Sequence, residues 1–164
     1  LDTGNLEARM AANASADAVV VSGLAPVSTI SKFIKETQKT GIYSVIDMLN
    51  VDKPAELIKT LAKMDAVPNI VEMHRAIDNE STDYNWGDIP AIKDAAKKAG
   101  KKLLVATAGG IRQNVVKTAL GSGADIIVVG RAITASKNIQ NAAEQFLEEM
   151  NKEEIDQFRV MTDF

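Results

Sequence analysis

The chain contains no cysteine. A disulfide framework, a thiolate zinc site and a cysteine nucleophile are therefore excluded. It contains one histidine, so no site can be built from several imidazoles, and a single ring is left as a candidate base. Positive charge is not in excess: 19 Lys and Arg stand against 22 Asp and Glu, for a net charge of −3. That balance argues against nucleic acid as a main partner, because phosphate backbones select basic surfaces. No apolar run approaches the roughly 20 residues of a membrane span, so no membrane partner is expected. The opening LDTGNLEARM has the layout of neither a signal peptide nor a transit peptide, and a cytoplasmic location is the default expectation. The absence of an initiator methionine suggests that the chain begins inside a larger protein. What remains is ordinary. At 164 residues, 46% apolar and 25% charged, the chain has the size and composition of one soluble domain.

Short β-branched runs alternate with longer amphipathic stretches. Strands are expected over 17–23, 43–50, 69–76, 102–110 and 125–131, and helices over 4–15, 28–40, 53–64, 88–99, 113–121 and 138–150. Near-continuous apolar runs suit strands covered on both faces, as in parallel sheets. Ser28 can cap its helix, Pro54 suits a first turn, and Gly41, Gly100 and Gly123 follow helices, where a left-handed residue is wanted. Five strand–helix units, preceded by a helix, imply a parallel sheet. A doubly wound open sheet needs no missing part. A (β/α)8 barrel needs about 250 residues, so this chain would be short of it by about three strands. Periodicity alone leans to the open sheet.

The strand ends reverse that preference. Both architectures place ligands at the carboxyl ends of the strands, and polar or glycine residues stand at every one. Ala108-Gly109-Gly110-Ile111 before a helix is either a tight turn or a phosphate cradle, in which backbone N–H groups and the helix N-terminus meet an anion. Gly130-Arg131, one strand later, adds a guanidinium. Barrel enzymes often bind phosphate with the loops after their last two strands. His74 is either a satisfied core histidine or, at the mouth of the sheet, a general base with a matched pKa. Asp47, inside an apolar strand, is costly to bury unpaired; it is either a structural acceptor or part of the site. Asp2 could be only a helix-start signal. The tail over 151–164 closes with Phe158, Val160, Met161 and Phe164, which are expected to dock on the domain of residues 1–150 or on a partner subunit.

The stretch LDTGNLEARMAANASADAVVVSGLAP, the HRAID segment, and the AGGI and VGRAIT loops resemble the orotidine-monophosphate-decarboxylase-like barrels. Within that family they are similar to the 3-hexulose-6-phosphate synthase branch, in its archaeal type, often fused behind a formaldehyde-activating domain. The resemblance covers most of residues 1–150. It implies a (β/α)8 TIM barrel, incomplete at its N-terminus, with about five strand–helix units present. Asp2 matches the last Asp of the family's D-x-K-x-x-D motif. The first Asp and the Lys would precede Leu1, and so would the family's Mg2+ ligands, so no metal ligand is assigned to the residues here. The family is dimeric, and the residue matching Asp2 enters the partner's site.

The resemblance further implies an aldolase that joins ribulose 5-phosphate and formaldehyde through a Mg2+-stabilised enediolate. His74 would be the base, with Asp47 and Asp2 beside it. Ile77 and Ala108 would line the substrate pocket, and Gly109, Gly110, Gly130 and Arg131 would hold the phosphate. The related 3-keto-gulonate-6-phosphate decarboxylase type has Glu, Arg and Thr at the positions of Asp47, Ile77 and Ala108, and this sequence has the synthase choice at all three. The alternatives are such a decarboxylase or a non-catalytic phosphate-binding or assembly domain.

Overall fold

A computed structural model describes residues 3–76, 84 and 86–151. Helix α1 (Gly4–Asn13) leads into β1 (Ala18–Ser22), α2 (Val27–Thr40), β2 (Tyr43–Asp47) and α3 (Pro54–Lys63). Then come β3 (Ile70–His74), a 3-10 turn (Trp86–Asp88), α4 (Ile89–Lys98), β4 (Leu104–Ala108) and α5 (Gln113–Gly121). The chain continues through β5 (Ile126–Ile127) and α6 (Arg131–Thr134) to α7 (Ile139–Asn151). The expected docking of the 151–164 tail falls on residues outside those described, apart from Asn151.

All strands are parallel and pair in sequence order, β1-β2-β3-β4-β5. An open doubly wound sheet reverses its order part-way; this one does not. One face of the sheet carries Val21, Ile46, Val71 and Val105, buried in one cluster with Ile30 and Phe33 of α2, Ile58 and Leu61 of α3, and Ile89 and Ile92 of α4. On the other face Val20 and Tyr43 are each 58% exposed. Helices on one face and strands in unbroken sequence order define five consecutive units of a (β/α) barrel.

The inner face is layered, because side chains alternate along each strand. Val20, Val45, Ile70 and Leu104 share one row across β1 to β4. One step nearer the carboxyl ends, Ser22, Asp47, Glu72, Ala106 and Ile126 form the next row. His74 and Ala108 pair above it. Apolar residues thus fill the lower layer, and titratable groups begin where the strands end.

Two sequence expectations need correction. The run over 125–131 forms only a two-residue strand. Among the described residues β5 pairs with β4; after Val128 donates to the Thr107 carbonyl at 2.9 Å, Gly130 ends the run and α6 begins at Arg131. Ser28 does not cap α2. The helix starts at Val27 behind Pro26, with no side-chain cap, since the fixed φ of proline already sets the entry. Pro54 opens α3 as expected, and Gly41 (φ 78°), Gly100 (φ 70°) and Gly123 (φ 98°) take the left-handed conformation after their helices. Among the described residues no helix is long and apolar enough to cross a membrane.

Helix α1 is tied to α2 by an ion pair. Arg9 Nη2 lies 2.7 Å from Glu36 Oε1, its Nε donates to the same oxygen at 2.9 Å, and Lys39 stands 3.6 Å from Oε2. The Arg9 hydrogen bond, aided by the charges of Arg9 and Lys39, holds the Glu36 carboxyl below its ordinary value against the opposing effect of burial. A carboxylate whose folded pKa is depressed contributes stability above its unfolded pKa and loses it as pH falls through the folded one. The melting temperature should therefore fall on acidification below the ordinary carboxylate range. Arg9→Met should flatten that fall, as read by thermal unfolding from pH 7 to pH 3. An unchanged acid slope in Arg9→Met would show that Glu36 does not contribute to it.

Candidate active site

The two functional groups nearest the carboxyl end of the inner face belong to adjacent strands. Asp47 ends β2 and His74 ends β3. The register pairs Asp47 with Glu72, so His74 stands one inward position further along. That offset lets the Asp47 carboxylate reach sideways to the ring: His74 Nδ1 lies 3.1 Å from Oδ2 and 3.2 Å from Oδ1. Asp47 Oδ1 also accepts the Leu49 N–H at 2.9 Å. The carboxylate is thus held by the turn that follows it and presents itself to the imidazole. With a proton on Nδ1 facing Asp47, Nε2 is the ring atom left for chemistry. This pairing is the carboxylate–imidazole arrangement that orients a general base.

An open cleft of about 590 Å3 lies against His74, within the usual range for small-molecule sites. His74 and Glu72 line one end of it; Gly109, Gly110, Gly130 and Arg131 line the other, together with Arg75 and Arg112. The cleft is therefore polarised, with the Glu72 carboxyl and the His74 imidazole of β3 at one end and the guanidinium groups of Arg112 and Arg131, after β4 and β5, toward the other; Arg75 follows His74 at the exit of β3. Ala108, buried beside His74 on β4, lines the wall between the two ends. The structure thus brings together Asp47, His74, Ala108, Gly109, Gly110, Gly130 and Arg131. Asp2 and Ile77 lie outside the described residues.

Gly109 and Gly110 have φ of 90° and 66°, a conformation that favours glycine. A Cβ on Gly109 would also run into the carbonyl oxygen of Arg75. The close approach fixes the glycine turn against the exit of β3, where the Arg75 N–H donates to the Ala108 carbonyl at 3.1 Å. A stack reinforces it. The Arg75 guanidinium carbon lies 3.7 Å from the Tyr84 ring centroid, and Tyr84 stacks on Trp86 at 4.4 Å. Arg75 Nη2 donates to Tyr84 Oη at 2.9 Å, Tyr84 Oη donates to the Gly109 carbonyl at 3.0 Å, and Trp86 Nε1 donates to Thr107 Oγ1 at 3.1 Å. Sequence reasoning gave no role to Arg75, Tyr84 or Trp86. Their only signal was an aromatic pair two residues apart just before the fourth helix.

Glu72 was also missed. It sits inward between Asp47 on β2 and Ala106 on β4, and among the described residues its carboxyl has no hydrogen-bond donor. Burial, and then the neighbouring charge of Asp47, push its pKa above the ordinary value, with His74 acting in the opposite sense. Donor atoms of Asp47, Glu72 and His74 all lie within 4.8 Å of one another. The set does not make a Mg2+ site by itself. Such an ion asks for several oxygen ligands in octahedral geometry, whereas the Asp47 carboxylate is committed to His74 and to the Leu49 N–H, which leaves one open carboxylate.

Residues 1–146 match the orotidine 5'-phosphate decarboxylase / HUMPS family. The chain belongs to this family. Over all 164 residues it is 69% identical to the bifunctional enzyme Fae/Hps of Methanoculleus marisnigri, of which it spans 40%. Among solved structures, the 3-hexulose-6-phosphate synthase of Salmonella typhimurium is similar with a TM-score of 0.76 and 27% identity, over 92% of this chain and 69% of that one. KGPDC of Streptococcus mutans shares the fold with a TM-score of 0.74 at 21% identity, over 92% of this chain and 68% of that one.

The glycine turn yields a direct test. Gly109→Ala should destabilise the protein by about 1–3 kcal/mol, the usual cost of a strained backbone, and should weaken inorganic phosphate binding. Gly121→Ala, where an added Cβ meets open space in the last turn of α5, should leave phosphate binding unchanged and stability equal or higher, as for a glycine replaced by alanine in a helix. Chemical denaturation and phosphate titration of both variants check this. Equal behaviour of the two variants would mean that the 109–110 turn is not constrained by Arg75.

Proposed function

We propose that this chain carries the aldolase site of a 3-hexulose-6-phosphate synthase, which interconverts D-arabino-hex-3-ulose 6-phosphate with ribulose 5-phosphate and formaldehyde. The observation that supports this most is the polarised cleft: a carboxylate-oriented imidazole at one end and arginine beside glycine loops at the other. A phosphorylated sugar fits that polarity end to end. Its phosphate meets Arg131 and the backbone of the 109–110 and 130–131 loops, which sets C1 against His74. Nε2 of His74 removes the C1 proton, and Asp47 holds the ring and stabilises the imidazolium that forms. The enediolate then attacks formaldehyde. Ala108 leaves room for that small aldehyde, and Ile77 is assigned the same role by the family resemblance. The relatives support the reading, since a bifunctional Fae/Hps is 69% identical across the chain and the Salmonella synthase aligns at a TM-score of 0.76.

Mg2+ is the proposed cofactor, supplying Lewis-acid stabilisation of the enediolate; the resemblance assigns its ligands to positions before Leu1. We further propose a cytoplasmic homodimer with Asp2 reaching the partner's site. The exposed Leu6 and Met10 on α1, and Leu24 after β1, support an interface on that side. A sugar-acid decarboxylase is the second reading, supported by the fold shared with KGPDC. Ala108 and Ile77, in place of the Thr and Arg of the decarboxylase type, speak against it.

Two substitutions test the assignment in the full-length protein supplied with Mg2+. His74→Asn keeps similar bulk and removes the base; it should slow C1 proton exchange of ribulose 5-phosphate by about 10²–10⁴-fold with little change in phosphate affinity. Exchange at the full rate would remove His74 from the mechanism. Arg131→Ala should weaken ribulose 5-phosphate binding by about 2–3 kcal/mol, as for a charge-assisted contact, read as a rise in KM. An unaltered KM would place the phosphate elsewhere.

A further inference from the structure

Aldol condensation moves a proton between two places. It leaves C1 of the sugar phosphate and must finally reside on the oxygen that formaldehyde contributes. One imidazole oriented at C1 serves the first place. The cleft contains a second group positioned for the other. Glu72 lies on the same strand as His74, two residues earlier and on the same inward face, and both side chains line the cleft. Their donor atoms are within 4.8 Å, the reach of a direct transfer or of one bridging water.

Two further observations single out this carboxyl. Asp47, its neighbour across the register, is engaged by His74 and by the Leu49 N–H. Glu72 has no hydrogen-bond donor among the described residues, so its oxygens face the cleft uncommitted. The charged groups that face it are Asp47 from β2 and His74 on its own strand; β4 presents Ala106 at its register. A half-buried carboxyl beside a like charge takes up a proton more readily than a surface one, in line with the upward direction of its pKa, caused first by burial and then by Asp47.

We infer that Glu72 is the proton donor to the formaldehyde oxygen in the carbon–carbon bond-forming step, and its acceptor on cleavage; this rests on the aldolase reading above. His74 takes the proton from C1 and holds it on the ring. The C1=C2 π pair of the enediolate forms the new C–C bond to the carbonyl carbon of formaldehyde, the C2 oxyanion returns to a carbonyl, and the formaldehyde C=O π pair moves to its oxygen. The Glu72 proton joins that oxygen to make the hydroxyl. Glu72 is then a carboxylate and His74 an imidazolium; transfer of the ring proton to Glu72 restores both. Atoms, charge and electrons balance with no further reactant.

The test separates the two partial reactions in the full-length protein supplied with Mg2+. For Glu72→Gln, C1 deuterium exchange of ribulose 5-phosphate is compared with condensation using formaldehyde. The ratio of condensation to exchange should fall by at least about 100-fold relative to wild type, the usual scale of a lost acid–base group. Glu72→Asp should recover part of the ratio and shift the limb of the condensation pH profile that Glu72 governs. Folding is checked independently. Removing a carboxylate with a raised pKa should leave the melting temperature at pH 7 unchanged or higher, and inorganic phosphate should still bind. A ratio within threefold of wild type would overturn the assignment and give both proton transfers to His74. Exchange and condensation falling together would also overturn it, making Glu72 a support for the His74 ring. A wild-type protein that shows no C1 exchange would remove the aldolase reading itself, and this role with it.

Discussion

The contact between Asp47 and His74 depends on the register of two parallel strands. Asp47 is the last residue of β2 and His74 the last of β3, yet they are not register partners; the ring stands one inward step beyond the carboxylate. Parallel strands hold that offset rigidly, because a slip of one residue would turn every inward side chain toward the helices. The apolar row of Val20, Val45, Ile70 and Leu104 fills the inner face below, and the helices are packed against Ile46, Val71 and Val105 on the other. The geometry of the Asp47–His74 pair thus rests on the same alternation that separates the core from the cleft.

Above that row the chemistry is divided by strand. β2 and β3 supply the titratable groups Asp47, Glu72 and His74. The turns after β4 and β5 supply glycines and guanidinium groups. The division suits a substrate with a reactive carbon at one end and a phosphate at the other, since binding energy at the phosphate end can be used to fix the carbon against the base. Among the described residues Glu72 has no hydrogen-bond donor, and burial and the Asp47 charge raise its pKa against the opposing effect of His74.

Much of the fold was legible. The β-branched runs around Val20, Ile46, Val71 and Val105 are strands, and the glycines at 41, 100 and 123 close helices, because local sterics decide both. The barrel itself was legible only indirectly, from polar residues at strand ends; periodicity leaned to an open sheet. The last strand was over-extended because its apolar run continues past the two residues that pair with β4, up to the start of α6 at Arg131. Ser28 lost the cap to Pro26 because the chain geometry was already set by the proline ring. Among site residues, His74 and the AGGI turn stand out by type and position. Glu72 does not, since one acidic residue in a strand reads as a solvent-facing position until the register sets it beside Asp47. Arg75, Tyr84 and Trp86 depend on tertiary stacking, which no local pattern encodes.

That stack has an optical consequence. The chain has one tryptophan, and its indole is held by Thr107 on one side and by the Tyr84 ring on the other, with Arg75, the residue after His74, next in line. Under excitation selective for tryptophan, emission in these 164 residues comes from this one indole, two rings' depth behind the cleft-lining Arg75. Its wavelength and quenching therefore report the packing between the exit of β3 and the glycine turn, giving a built-in, label-free signal for ligand entering the site.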